Sequence, residues 1–94
     1  MITRQEAFEI LEKDLVIYTA ALHWNVARSA YNDEAPKIIY VEEFIAKLIE
    51  RIYSSFDTSI ITKHSLLHLA HWYTESMIRE QYGNLVNKTT GNQQ

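Results

Sequence analysis

The sequence predicts an all-α chain: a three-helix, up-down-up domain that packs into a helical homo-oligomer. Three observations predict it. Apolar residues recur at alternating spacings of three and four through most of the chain, the period of a helix with one buried face. Gly occurs twice and Pro once in 94 residues, whereas an all-β chain needs such residues throughout its tight turns. Capping signals stand where each of three helical runs would begin. The expected helices cover residues 4–29, 35–56 and 60–82.

The first helix is expected to start at Thr3. Thr3 and Glu6 have the spacing of a capping box, in which each side chain serves the other's backbone amide. Phe8, Leu11, Leu15, Tyr18, Leu22 and Val26 then form one stripe along the helix. Ile10, Ile17, Ala21 and Trp24 form a second stripe, about 120° away at 100° per residue. Asp14 and Asn25 fall between the two. An outer helix of a three-helix bundle needs only one stripe, so the second is expected to meet another subunit or a partner; the competing account is that the helix bends around a compact core and buries both stripes within one chain.

Residues 29–36 read as a connection, with Asn32 or Asp33 capping the second helix and Pro36 in its first turn. Ile38, Val41, Ile45, Leu48, Ile52 and Phe56 continue the three-four pattern. Phe44, Ile49 and Tyr53 widen this face to about half the helix, which places the second helix at the centre. Asp57, Thr58 and Ser59 break the pattern, and the third helix is expected to start between there and Thr62; if Thr62 caps it, Ile61 and Leu66 form a hydrophobic staple. Leu66, Leu67, Leu69, Ala70, Tyr73, Met77 and Ile78 form its apolar side. Gly83 is placed for a left-handed C-cap. Residues 1–83 are therefore read as a single domain, and residues 84–94, polar apart from Leu85 and Val86, as a flexible tail.

Composition narrows the chemistry. Cys is absent, which removes disulfides, thiolate metal sites and cysteine nucleophiles, and points to the cytoplasm for so small a chain. The start of the chain carries no apolar signal run, and no apolar stretch approaches the ~20 residues of a membrane span. The net charge is -3, and no two of the nine Lys and Arg are adjacent. A nucleic-acid binder usually clusters its basic residues, so a DNA-associated regulator ranks last among the readings.

One polar pattern carries metal chemistry. His64, His68, His71 and Glu75 fall within about 60° of arc on the third helix, opposite its apolar side. Imidazoles at i and i+4 with a nearby carboxylate suit zinc or another divalent transition metal. A solvated polar face is the competing account of the same residues. No HExxH motif is present, so metalloprotease logic does not apply.

The segment Leu22-His23-Trp24-Asn25-Val26 resembles the His-Trp-Asn-Val segment in the first helix of Dps-type mini-ferritins. Ile49-Glu50-Arg51-Ile52 resembles that family's later Glu-Arg segment. Together they cover about nine of the 94 residues. The resemblance implies His23 and Glu50 as iron ligands. The family's subunit is longer, and its intervening His and Asp ligands have no counterpart here at suitable spacing.

No phosphate loop, nucleophile elbow or catalytic cluster is present, and no enzyme activity or cofactor is expected. The expected function is a non-enzymatic interaction module, a small regulator, adaptor or inhibitor. Its partner is another protein, a second copy of the chain, or both. Ile10, Ile17, Ala21, Trp24 and Trp72 are the expected interface residues.

Overall fold

The computed structural model describes residues 1–91. It contains four α-helices and one short 3-10 turn: α1 (Arg4–Glu12), α2 (Leu15–Tyr31), α3 (Ile38–Ser55), the turn Thr58–Ile60, and α4 (Lys63–Gly91). No strand occurs among the described residues, and no helix is long and apolar enough to cross a membrane. The all-α expectation holds, and the count rises from three to four because the first predicted helix is broken.

The break lies at Asp14. The Thr3–Glu6 capping box opens α1 as expected, with both hydrogen bonds at 3.1 Å. The helix ends at Glu12, and Asp14 opens a new one, its Oδ1 accepting the Ile17 amide at 3.0 Å. A short carboxylate inside a helix competes for nearby backbone amides, and as an N-cap it satisfies one of them. Asp14 is therefore neither a buried acid nor a gap in a stripe. It is the start of α2.

α2 ends in a Schellman motif. Asp33 adopts a left-handed conformation with φ 57°, the Asp33 amide donates to the Ala30 carbonyl, and the Glu34 amide to the Ser29 carbonyl. Asp is among the few non-Gly residues that tolerate this region. Asn32 and Asp33 thus finish α2; neither caps the next helix. The N-cap of α3 is Lys37, without a side-chain cap bond. Its amide donates instead to the buried Asn25 Oδ1 at 3.0 Å, which also accepts the Ser29 hydroxyl at 3.1 Å. Asn25 fastens the connection to α2.

Thr62 opens α4 with Ser65, each hydroxyl accepting the other residue's amide. Ile61 and Leu66, the expected staple pair, both enter the core. The expected end at Gly83 is not found: α4 continues through it to Gly91. Nothing lies within 4 Å of where a Gly83 Cβ would stand, and its φ is not left-handed. Residues 84–91 of the expected tail are therefore helical, and 92–94 lie outside the described residues. Lys88 holds the last turns in place through the Tyr31 carbonyl and Asp33 Oδ2, a cation where the carbonyl end of α2 favours one.

Asp14 meets His71 at the start of α2, and Tyr31 meets Lys88 at its end, so α2 and α4 run parallel. α3 runs against α2, pairing Glu43 with Arg28. α2, α3 and α4 are thus up, down and up, and α1 packs on all three. Arg4 binds Glu50 through two bonds, and the Tyr53 hydroxyl donates to the Ile2 carbonyl at 2.7 Å. The core joins Ala7 and Leu11 with Phe44, Ile45, Leu48 and Ile52 of α3 and Leu66 and Ala70 of α4. The element in closest touch with the others is α2, not the expected α3.

Candidate interaction surface

α2 reaches two neighbours because its inner face is small. Ala20, Ala21, Ala27 and Ser29 are buried there, alongside Ile17, Asn25 and Trp24. Small side chains let neighbouring helices approach closely, and Trp24 fills the remaining space against Phe44, ring centres 5.7 Å apart. This corrects the expected interface. Ile17, Ala21 and Trp24 belong to the chain's own core, and Ile10 is half-buried against it. The physical reason is the break at Asp14, which lets α2 turn independently of α1, so that the two stripes exchange roles. The first stripe is buried along α1, where Leu11 is inaccessible and Phe8 half-buried, and emerges on α2.

The outer face of α2 is therefore the apolar one. Leu15 is 79% exposed, Val26 49%, Leu22 43% and Tyr18 36%, with Val16 beside them. From Leu15 to Ala27 there is no Asp, Glu, Lys or Arg. Exposed single apolar residues are ordinary; a continuous uncharged row of large ones is not. Sequence reasoning assigned these residues to the core because they are large and periodic. Two signals pointed the other way: the acid at position 14, and the segregation of small residues to one side and large ones to the other.

On α4, Trp72 keeps its expected place outside, 73% exposed. The His line is not convergent. His64 and His68 are exposed, Glu75 binds Arg79, and the His71 Nε2 lies 3.2 Å from Asp14 Oδ1. Asp14 Oδ1 therefore serves both the α2 cap and an α4 ring. Among the described residues no three His, Cys, Asp or Glu side chains group as metal ligands would. The geometry gives the zinc reading no support because one straight helix spreads three such residues along its length. The two residues of the mini-ferritin resemblance are not joined either: His23 is exposed on α2, and Glu50 is taken by Arg4 on the far side of α3.

The outer face of α2 is thus an uncharged apolar ridge, with the Asp14–His71 pair at its N-terminal end. Comparison with protein-family models, curated proteins and solved structures found no match for the chain.

Proposed function

We propose that this protein is a small non-enzymatic interaction module, a cytoplasmic regulator, adaptor or inhibitor, that works through the outer face of α2 and self-associates there. One observation carries the reading: apart from Ile17 and Trp24, α2 buries small residues, and it leaves Leu15, Tyr18, Leu22 and Val26 at the surface, where burial within a lone chain would not leave them. Tyr18, Leu22 and Val26 stand at i, i+4 and i+8, so they form a ridge. Ridges of this kind interlock between helices crossing at about -50°. An uncharged ridge is compatible with its own copy across a two-fold axis, where each residue meets the same surface it offers. Contact through these side chains would bury less than about 1,200 Å² in total, the size of a weak, reversible interface.

The experiment is sedimentation equilibrium on the wild-type chain and on Leu22→Glu/Val26→Glu. The wild type is expected to be a dimer or larger and the variant a monomer with an unchanged helical spectrum. A wild type that stays monomeric at high concentration, and captures the same proteins as the variant in a pull-down, overturns the reading.

A further inference from the structure

α3 and α4 both pack along α2 but touch each other less. Where they part, a cleft of about 400 Å³ opens, with Trp24 and Met77 in its lining. Both are buried, so the cleft has an apolar floor. Its volume lies within the range of small-molecule sites.

The charged groups around it are held but not spent. Arg28 lies 5.0 Å from the centre of the Tyr40 ring, with its Nε 3.7 Å from Glu43. Arg51 lies 5.0 Å from the centre of the Tyr73 ring, with an Nη 3.9 Å from Glu80. Lys47 stands 4.0 Å from Glu43. All three separations exceed hydrogen-bonding distance, so these ion pairs leave the N–H donors free. The Arg4–Glu50 pair shows the contrast, with both of its bonds made at 3.0 and 3.2 Å. Contact with the tyrosine rings restrains the two guanidinium groups, which reduces the ordering cost of binding an anion.

A second observation points into the same space. Gln81 lines the cleft and is 9% exposed, yet its side-chain amide makes no hydrogen bond among the described residues. None of its polar atoms is sealed from solvent, so the amide opens into the cleft. It presents two donors and one acceptor there.

We propose that this cleft is a binding site for a small organic monocarboxylate. Three cations face two carboxylates around it, so one anionic charge balances the site. A phosphate dianion would overshoot that balance beside Glu43 and Glu80. The carboxylate takes donors from Lys47, Arg28 and Arg51, and from Gln81; the apolar body rests on Trp24 and Met77. Trp24 and Arg28 lie on the opposite side of α2 from Leu22 and Val26, so the site is independent of self-association.

The test is calorimetry on the full chain with phenylacetate, its neutral isostere phenylacetamide and inorganic phosphate, together with the NMR signal of the Gln81 side-chain amide. Phenylacetate is expected to saturate and to shift the Gln81 amide signal, while the other two bind at least about tenfold more weakly. Arg51→Gln and Lys47→Gln, both at exposed side chains, are each expected to weaken phenylacetate about tenfold or more, with the circular dichroism of the wild type. Gln81→Leu should weaken it without unfolding the chain, because the amide has no internal bond to lose. No saturation by about 10 mM, equal binding of the amide or of phosphate, or full affinity in Lys47→Gln and Arg51→Gln overturns the proposal.

Discussion

α2 and α3 are both long and apolar, and they dispose of their apolar residues in opposite ways. Past its first turn, where Ile38 and Ile39 are exposed, α3 buries Val41, Phe44, Ile45, Leu48, Ile49 and Ile52 and turns its charged residues out. α2 buries Ile17 and Trp24 among three alanines, a serine and an asparagine, and turns Leu15, Tyr18, Leu22 and Val26 out. α3 drives folding by the area it removes from water. α2 contributes closeness, since its small inner side chains let α3 and α4 approach it. The outer face of α2 then has apolar area that the chain itself does not use.

The contrast can be broken by substitution, from the largest expected effect to the smallest. Leu48 is inaccessible on α3, so Leu48→Ala should cost about 3 kcal/mol in a denaturant titration, the usual range for an emptied core leucine. Ala21 is inaccessible on α2, and there the damaging change is an enlargement: Ala21→Leu should cost about 2 kcal/mol by forcing the helices apart. If Ala21→Leu were neutral, the close approach of α2 to its neighbours would not matter, and the comparison would fail. Asp14→Ala should cost about 1 kcal/mol by removing the cap of α2; hydrogen exchange should show the loss first at the amide of Ile17.

The smallest effects are the most diagnostic. Leu22→Ser should change the unfolding free energy of the monomer by less than about 0.5 kcal/mol, as expected of a surface site, while shifting the oligomer equilibrium towards monomer. A large loss of monomer stability would mean that the outer face belongs to the core after all. In the capping box of α1, hydrogen bonds from the Thr3 backbone and then its side chain hold the Glu6 carboxyl below its ordinary 4.5. A depressed carboxyl adds stability above that value and loses it as pH falls through the folded one. Glu6→Ala should therefore be less stable than the wild type at neutral pH, and the gap should close in acid melts.

Local chemistry was the legible part. The Thr3–Glu6 box, the Thr62 cap, the Ile61–Leu66 pair and the buried middle of the α3 stripe, Val41 to Ile52, could all be read because each is decided within one or two turns; the ends of that stripe, Ile38 and Phe56, are exposed. The readings that failed depended on events between segments. The apolar stripe continues across position 14 in unbroken register, so the acid there could be read as lying between stripes, and the realised cap shows that the helix stops. Gly83 suits a C-cap, but the contacts of Lys88 with the end of α2 accompany a helix that continues past it. The His line of α4 was visible as a pattern, while the pairing of His71 with Asp14 spans 57 positions and leaves no local trace. The cleft between α3 and α4 was not legible at all, because Arg28, Lys47, Arg51 and Gln81 come from three helices.

By itself, the sequence determined that the chain is helical, where two of its four helices begin, and that more apolar surface is present than a simple bundle requires. Periodicity and capping are short-range properties, written within a few residues. Only the tertiary structure decided which stripe is the surplus. That choice rests on the break at Asp14 and on the fit of small side chains between α3 and α4, and packing of that kind depends on shape and distance across the fold. The excess stripe expected at Ile17, Ala21 and Trp24 became the core, and the α2 part of the stripe expected in the core, Leu15, Tyr18, Leu22 and Val26, became an exposed apolar face.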